Sequence, residues 1–214
     1  MSYVYFDIET TGLDIVKSNF TCGVTICNDT TRTFDDPVAM ASYLTSLPSS
    51  VTPVTFNGLA FDYPFLAQKV RTRNADSPLH SLLAAHATAN HIDIMYAFLC
   101  NHGYFASMQS FATPMGLAKS WSGKEAATST DAAAIAAYCA QDVRVLKAVH
   151  ERSLSQGLLQ RVTARGVTRT WVVANGIESV KTCMFNVNKC MPNQAWMDSA
   201  PNIANIGAWA MSAR

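Results

Sequence analysis

The segment Tyr5-Phe6-Asp7-Ile8-Glu9-Thr10-Thr11-Gly12 constrains this chain more than any other. It follows a run of aromatic and β-branched residues, the makings of a buried strand, with two carboxylates one residue apart. Side chains two apart on a strand share a face, so Asp7 and Glu9 point together while Ile8 points away. Two anions side by side at the end of a buried strand oppose each other's ionisation, and the pair calls for a cation.

The segments that follow set the architecture. FTCGVTICND and TRTF are β-rich and meet at the polar turn Asn28-Asp29-Thr30, so three antiparallel strands come first. DPVAMASYLTSL has apolar residues at helical spacing, with Asp36 as N-cap, Pro37 at the first helical position and Pro48 closing it. VTPVTFNG returns to β-propensity as a strand expected to run parallel to the first, and FDYPFLAQKV resumes helical periodicity. From Pro78 to about Lys119 the chain reads as largely helical, through LHSLLAAHA and MYAFLCNHG, and SWSGKEAATS reads as a loop. The clearest helix is alanine-rich, TSTDAAAIAAYCAQDVRVLKAVHERSL, ending at Gly157. Beyond it, RVTARGVTRTWVVANG alternates like a hairpin. Strands first, then strand and helix in turn, give an α/β layered fold: a mixed sheet flanked by helices, with residues 158–214 as a C-terminal extension packed on a domain of residues 1–157.

Composition narrows the class. With 214 residues, 49% hydrophobic and 14% charged, the chain suits one well-buried core. A net charge of +1 advertises no polyanionic partner, so a grip on nucleic acid has to come from local basic groups and bound metal. No basic leader with a long apolar run opens the sequence, and none of its apolar runs reaches membrane-spanning length, which predicts a soluble, cytoplasmic protein. Cys22, Cys27, Cys100, Cys139, Cys183 and Cys190 form no C-x-x-C pair and read as reduced, mostly buried thiols. The histidines form no H-E-x-x-H pattern and read as satisfied or exposed imidazoles, with His86 and His91 placed to border a groove.

Two more acids join the first pair. Asp62 sits just past a strand near a helix start, where the helix dipole favours a negative charge. Tyr138 and Asp142 are four apart in the long helix, hence one turn apart on one face, where the phenol can hold a water beside the carboxylate. Each feature alone is ordinary. Four acids converging in a low-dielectric cleft would take up protons unless divalent cations compensate, and oxygen ligands select Mg²⁺ or Mn²⁺. Two such ions suit in-line phosphoryl displacement, hence phosphodiester hydrolysis.

In that order, Asp7-x-Glu9, the run N-x-x-x-F-D-x-P-F-L from Asn57 to Leu66, and Tyr138-x-x-x-Asp142 resemble the three motifs of the DEDD superfamily of 3′→5′ exonucleases. Position 137, where the histidine subclass places its base, is Ala, whereas Tyr138 fits the tyrosine subclass. The second motif is most similar to the proofreading exonuclease domains of family B DNA polymerases. The resemblance spans about residues 1–155 and implies a ribonuclease-H-like fold with two Mg²⁺ or Mn²⁺ ions. It implies that Asp7, Glu9 and Asp142 hold the ion that activates water, that Asp7 and Asp62 hold the second, and that Tyr138 orients the attacking water. It further implies that Thr10, Thr11, a Leu13 wedge, Asn57 and Phe61 touch the terminal nucleotides of a single strand, where stacking tolerates any base. Asp93, in HIDIM, resembles a further acid that follows the second motif, with a capping role expected rather than metal binding.

The resulting expectation is a freestanding 3′→5′ exonuclease acting on single-stranded DNA, alone or in trans with a polymerase or a replication or repair partner, since the length leaves no room for a polymerase. Arg161, Arg165 and Arg169, with Trp171, Trp196 and Trp209, are candidates for a strand-binding rim, against an anchoring role for the tryptophans. The alternatives are an exoribonuclease, a non-catalytic nucleic-acid-binding module on the same fold, or a structural protein whose acids scatter over its surface.

Overall fold

The computed structural model describes residues 2–117 and 123–186. Its main sheet contains β1 (Ser2–Thr10), β2 (Phe20–Cys27), β3 (Thr30–Phe34), β4 (Val51–Thr55) and β5 (Ile92–Asp93), in the spatial order β3-β2-β1-β4-β5. β1 pairs antiparallel with β2, and β2 with β3, whereas β4 and β5 extend the sheet parallel to β1. The antiparallel half needs only tight turns. At Asn28 and Asp29 both φ angles are positive, 47° and 62°, as the two-residue hairpin turn that matches strand twist requires. The parallel half needs crossovers, which helices supply.

Helix α1 (Pro37–Ser46) starts where expected: the Asp36 carboxylate accepts the amides of Val38 and Ala39. α2 (Asp62–Arg73), α3 (Leu79–Thr88) and α4 (Ile94–His102) follow, then α5 (Met108–Ala112), α6 (Gly123–Thr128) and α7 (Ala132–Gln156). The short α6 lies inside the stretch read as a loop. Its alanines favour a helix despite the flanking Ser and Gly residues, and Ala126 is buried. Neither β5 nor α8 (Val180–Asn186) was legible in advance, because two residues carry no period and seven barely one helical repeat.

The side chains of β1 divide the core. Phe6 points to one face and meets Tyr63 of α2 edge-on, ring centroids 5.2 Å apart. Tyr5, on the opposite face, reaches His150 of α7 with its hydroxyl 3.1 Å from Nδ1. α7 lies across β1 and β2 and buries Ile135, Cys139, Val143, Leu146 and Val149, a stripe at spacings of three and four. Helices therefore cover both faces, and the acids of β1 lie on the α7 face. Among the described residues, no helix is long and apolar enough to cross a membrane.

After α7, Gly157 takes a left-handed φ of 65° and turns the chain into a separate hairpin, β6 (Leu158–Val162) and β7 (Thr168–Val172). Trp171 is buried against Phe98, centroids 5.3 Å apart, and against His102 at 5.9 Å. Arg161 turns inward: its guanidinium lies over the rings of Phe98 and Tyr104, 5.1 and 5.0 Å from their centroids, and bonds the Tyr104 hydroxyl. Arg161 is thus a packing residue and not part of a strand-binding rim, whereas Arg165 and Arg169 are exposed. Trp196 and Trp209 lie outside the described residues. Trp171→Ala is expected to lower the unfolding free energy by about 3–5 kcal/mol, measured by denaturant titration.

Candidate active site

Asp7 and Glu9 face the same side of β1, opposite Val24 and Cys22 of β2. A register irregularity between Glu9 and Thr10 bends the strand end as it leaves the sheet, a device common beside functional sites. Here a cavity of about 520 Å³ opens, lined by Asp7, Glu9, Thr10, Leu13, Phe61, Tyr138 and Asp142 among others. Tyr138 and Asp142 enter from α7, one turn apart and hydrogen-bonded to each other. Asp7, Glu9 and Asp142 therefore share one cavity instead of scattering over the surface. Leu13 lines the same cavity and is 77% exposed. Thr10 and Phe61 also line the cavity, but Thr11 and Asn57 do not. Thr11 closes the following loop by accepting the Asn19 amide at 2.9 Å, and Asn57 holds a left-handed turn with φ 73°.

Asp62, the first residue of α2, comes in from the other edge. Pairing between β1 and β4 ends at Tyr5 and Val54, and beyond it the Ile8 amide donates to Asp62 Oδ1 at 3.1 Å. Asp62 thus stands in for a neighbouring strand at the residue between the two acids. It is buried, and its pKa is pushed well up, first by burial, then by the charges of Asp7 and Asp93. Tyr138 is raised too, by burial and then by Asp142 and Glu9, so its phenol stays protonated at neutral pH. Asp7 contributes to both shifts, which places it at the electrostatic centre of the group.

The donor set fits a hard divalent cation. Asp7, Glu9 and Cys139 each offer a ligand atom, all within 4.8 Å of one another. Cys139 is an unsuitable ligand: its thiol donates to the Asp7 carbonyl at 3.5 Å, and a hydrogen bond with Cys22 together with burial pushes its pKa up, so no thiolate forms. The carboxylates remain, and oxygen donors suit Mg²⁺ or Mn²⁺. The sequence did not reveal the Cys22–Cys139 pair behind the acids. Register alone could have hinted at it, since Cys22 lies directly opposite Glu9.

His86 and His91 are each held by a hydrogen bond inside the fold. His91 is fully buried, its Nε2 2.7 Å from Thr55 Oγ1 and its Nδ1 3.0 Å from the Ala87 carbonyl, while His86 Nδ1 meets the Tyr63 hydroxyl at 2.8 Å. Burial lowers their pKa values to about 3 and about 4, so both imidazoles are neutral at pH 7.

The raised pKa of Asp62 makes a pH prediction with a definite sign. In the metal-free native state Asp62 holds its proton more tightly than in the unfolded chain. Its contribution to stability is therefore full below the ordinary carboxylate pKa of about 4 and is lost as pH rises through the raised value. A cation needs the deprotonated form, so the rise in Tm produced by Mn²⁺ should grow as pH rises above the ordinary carboxylate range. Melting curves with and without Mn²⁺ check this. An increment independent of pH would remove Asp62 from the ion's surroundings.

A family model described as RNase_H superfamily matches residues 4–132. The chain belongs to the RNase H superfamily, in keeping with its five-stranded mixed sheet between helices. That match includes Asp7, Glu9 and Asp62 and stops before Tyr138 and Asp142. A comparison with curated proteins finds no match. Among solved structures the chain is similar to an exonuclease I described for how its processivity is achieved (13% identity, TM-score 0.49) and to E. coli exonuclease I in complex with a dA16 oligonucleotide (14% identity, TM-score 0.43). Each of these two likenesses covers 72% of this chain but 41% of the other. An apo exonuclease I is 10% identical with TM-score 0.46, over 99% of this chain and 70% of that one.

Proposed function

We propose that the chain is a metal-dependent nuclease, a 3′→5′ exonuclease of the tyrosine subclass of the DEDD superfamily, acting on single-stranded DNA. The observation that carries this reading is the gathering of Asp7, Glu9, Tyr138 and Asp142 around one cavity, with Asp62 bound to the strand between the first two. Residues 1–157 form the exonuclease domain in this reading, and residues 158–214 its C-terminal extension, of which 187–214 lie outside the described residues.

Asp7, Glu9, Asp62 and Asp142 would hold the divalent ions, two in this reading. Bound there, those ions would supply Lewis acidity toward the scissile phosphate and a nucleophilic water at neutral pH. The protein's own part is to place the groups around that chemistry. The protonated Tyr138 phenol, tied to Asp142, orients the attacking water and leaves its proton to other acceptors, because its pKa lies too high for a general base. Leu13 and Phe61 line the cavity as apolar surfaces for the terminal nucleotide, and Thr10 lies beside them with its hydroxyl donated to the Gly12 carbonyl. Stacking of this kind accepts any base, as degradation of arbitrary sequence demands.

The test compares single-stranded DNA, duplex DNA and RNA under Mg²⁺ and Mn²⁺, each with its 3′ or its 5′ end blocked. The proposal expects mononucleotides from single-stranded DNA, stopped by the 3′ block. Cleavage stopped only by the 5′ block would reverse the polarity, preference for RNA would make the chain an exoribonuclease, and binding without turnover would make it a binding module.

A further inference from the structure

Asp93 carries a carboxylate that lies outside the cavity wall, yet it is among the most heavily bonded in the structure. It is 1% exposed, at the junction of β5 and α4. Its Oδ1 accepts the amides of Asn57 at 3.0 Å and Tyr96 at 3.1 Å, and its Oδ2 accepts the Leu59 amide at 2.9 Å. Capping α4 requires only the Tyr96 bond. The other two reach back 36 and 34 residues to the turn between β4 and α2.

That turn has little conformational freedom of its own. Asn57 is left-handed, and a Cβ on Gly58 would sit 2.5 Å from Thr55 Oγ1. The Gly58 amide donates to that same Oγ1 at 3.2 Å, and the Thr55 hydroxyl is in turn engaged by His91 Nε2 at 2.7 Å. The Asn57 carbonyl then accepts the amides of Ala60 and Phe61, at 3.1 and 3.0 Å, and leads directly into Asp62. Asp62 closes the path by accepting the amide of Ile8, between Asp7 and Glu9. A path of hydrogen bonds and short intervening backbone thus joins a buried acid at the sheet edge to the strand that carries two acids of the cavity.

We propose that Asp93 is a positioning residue: by drawing the Asn57–Leu59 turn onto its two oxygens, it fixes the start of α2 and so holds the Asp62 carboxylate against β1. The inference rests on the proposed nuclease reading only where metal binding and activity are measured. Its geometry stands without them.

The variant that separates capping from positioning is Asp93→Ser in the full chain. A serine hydroxyl still caps α4 at Tyr96, but it is too short to hold Asn57 and Leu59 as well. In the metal-free protein, amide hydrogen exchange at Ile8, Asn57 and Leu59 should speed up by about tenfold or more, with the middle of α4 as protected as in the wild type. Mn²⁺ affinity, read by electron paramagnetic resonance, should fall about tenfold, the scale of a lost partner of a metal ligand. Turnover should fall with it while KM for a single-stranded oligonucleotide stays within about twofold, because Asp93 touches no substrate. A folded Asp93→Ser protein with unchanged exchange at Ile8 overturns the proposal. If that variant does not fold, Asp93→Asn, which keeps the volume but turns an amino group toward one donor, should show the same changes to a smaller degree, and unchanged exchange there overturns it equally. A wild-type chain that binds no Mn²⁺ would defeat the nuclease reading, and the exchange measurement would still decide the role of Asp93.

Discussion

Replacing Asp7 by alanine is expected to remove at least about a thousandfold of Mn²⁺-dependent degradation of a labelled single-stranded oligonucleotide, equivalent to roughly 4 kcal/mol of transition-state stabilisation. The expectation follows from where Asp7 sits. It lines the cavity, offers a ligand atom within 4.8 Å of that of Glu9, and its charge raises the pKa of both Asp62 and Tyr138. The same geometry predicts an effect on Asp62. The Asp7 charge makes it harder for buried Asp62 to ionise, so Asp7→Asn should lower the Asp62 pKa in the metal-free protein, read by NMR titration of its carboxyl carbon, while abolishing the rise in melting temperature that Mn²⁺ gives the wild type. A residue kept for packing would lower stability with and without metal, and unchanged turnover in the folded variant would reject the assignment of Asp7.

The second large effect belongs to Tyr138. Tyr138→Phe removes one hydroxyl and leaves the ring, which is buried on the inner face of α7, in place. Turnover should fall about a hundredfold, the lower range for a group that positions or transfers a proton. Mn²⁺ affinity should stay within about twofold, because the phenol is protonated and bonded to Asp142 instead of acting as a ligand. The pH–rate profile should show no tyrosine ionisation near neutrality, since burial and Asp142 hold the phenol above its ordinary pKa. Loss of metal binding in parallel with turnover would instead make Tyr138 part of the ion's surroundings.

These two residues also show how far the sequence could be read. Asp7 and Glu9 were placed by alternation on a strand, and Tyr138 and Asp142 by a four-residue spacing on a helix; both are local periods, and both lie on the cavity. The hairpin at Asn28-Asp29 and the cap at Asp36 were legible for the same reason, because turn and cap chemistry act over two or three residues. Asp62 was legible as an acid at a helix start, but its bond to the Ile8 amide was not, since that depends on where β4 stops pairing with β1. Asp93 was expected to cap a helix and does so, yet its hold on Asn57 and Leu59 arises only when the parallel strands bring the two turns side by side. The inward packing of Arg161, a rim candidate beside Arg165 and Arg169, is not legible, because Phe98 and Tyr104, whose rings take it in, lie more than fifty residues away in sequence. Periods and caps are written locally, whereas partners across the sheet and between helices are set by topology.

In the proposed nuclease, carboxylates from β1, α2 and α7 form one cation-binding centre. Crystals soaked in Mn²⁺ and measured at the manganese absorption edge should show anomalous density bounded by Asp7, Glu9, Asp62 and Asp142, lost in the Asp7→Asn crystal. Clear density for those side chains turned apart, with no anomalous signal between them at saturating Mn²⁺, would contradict it.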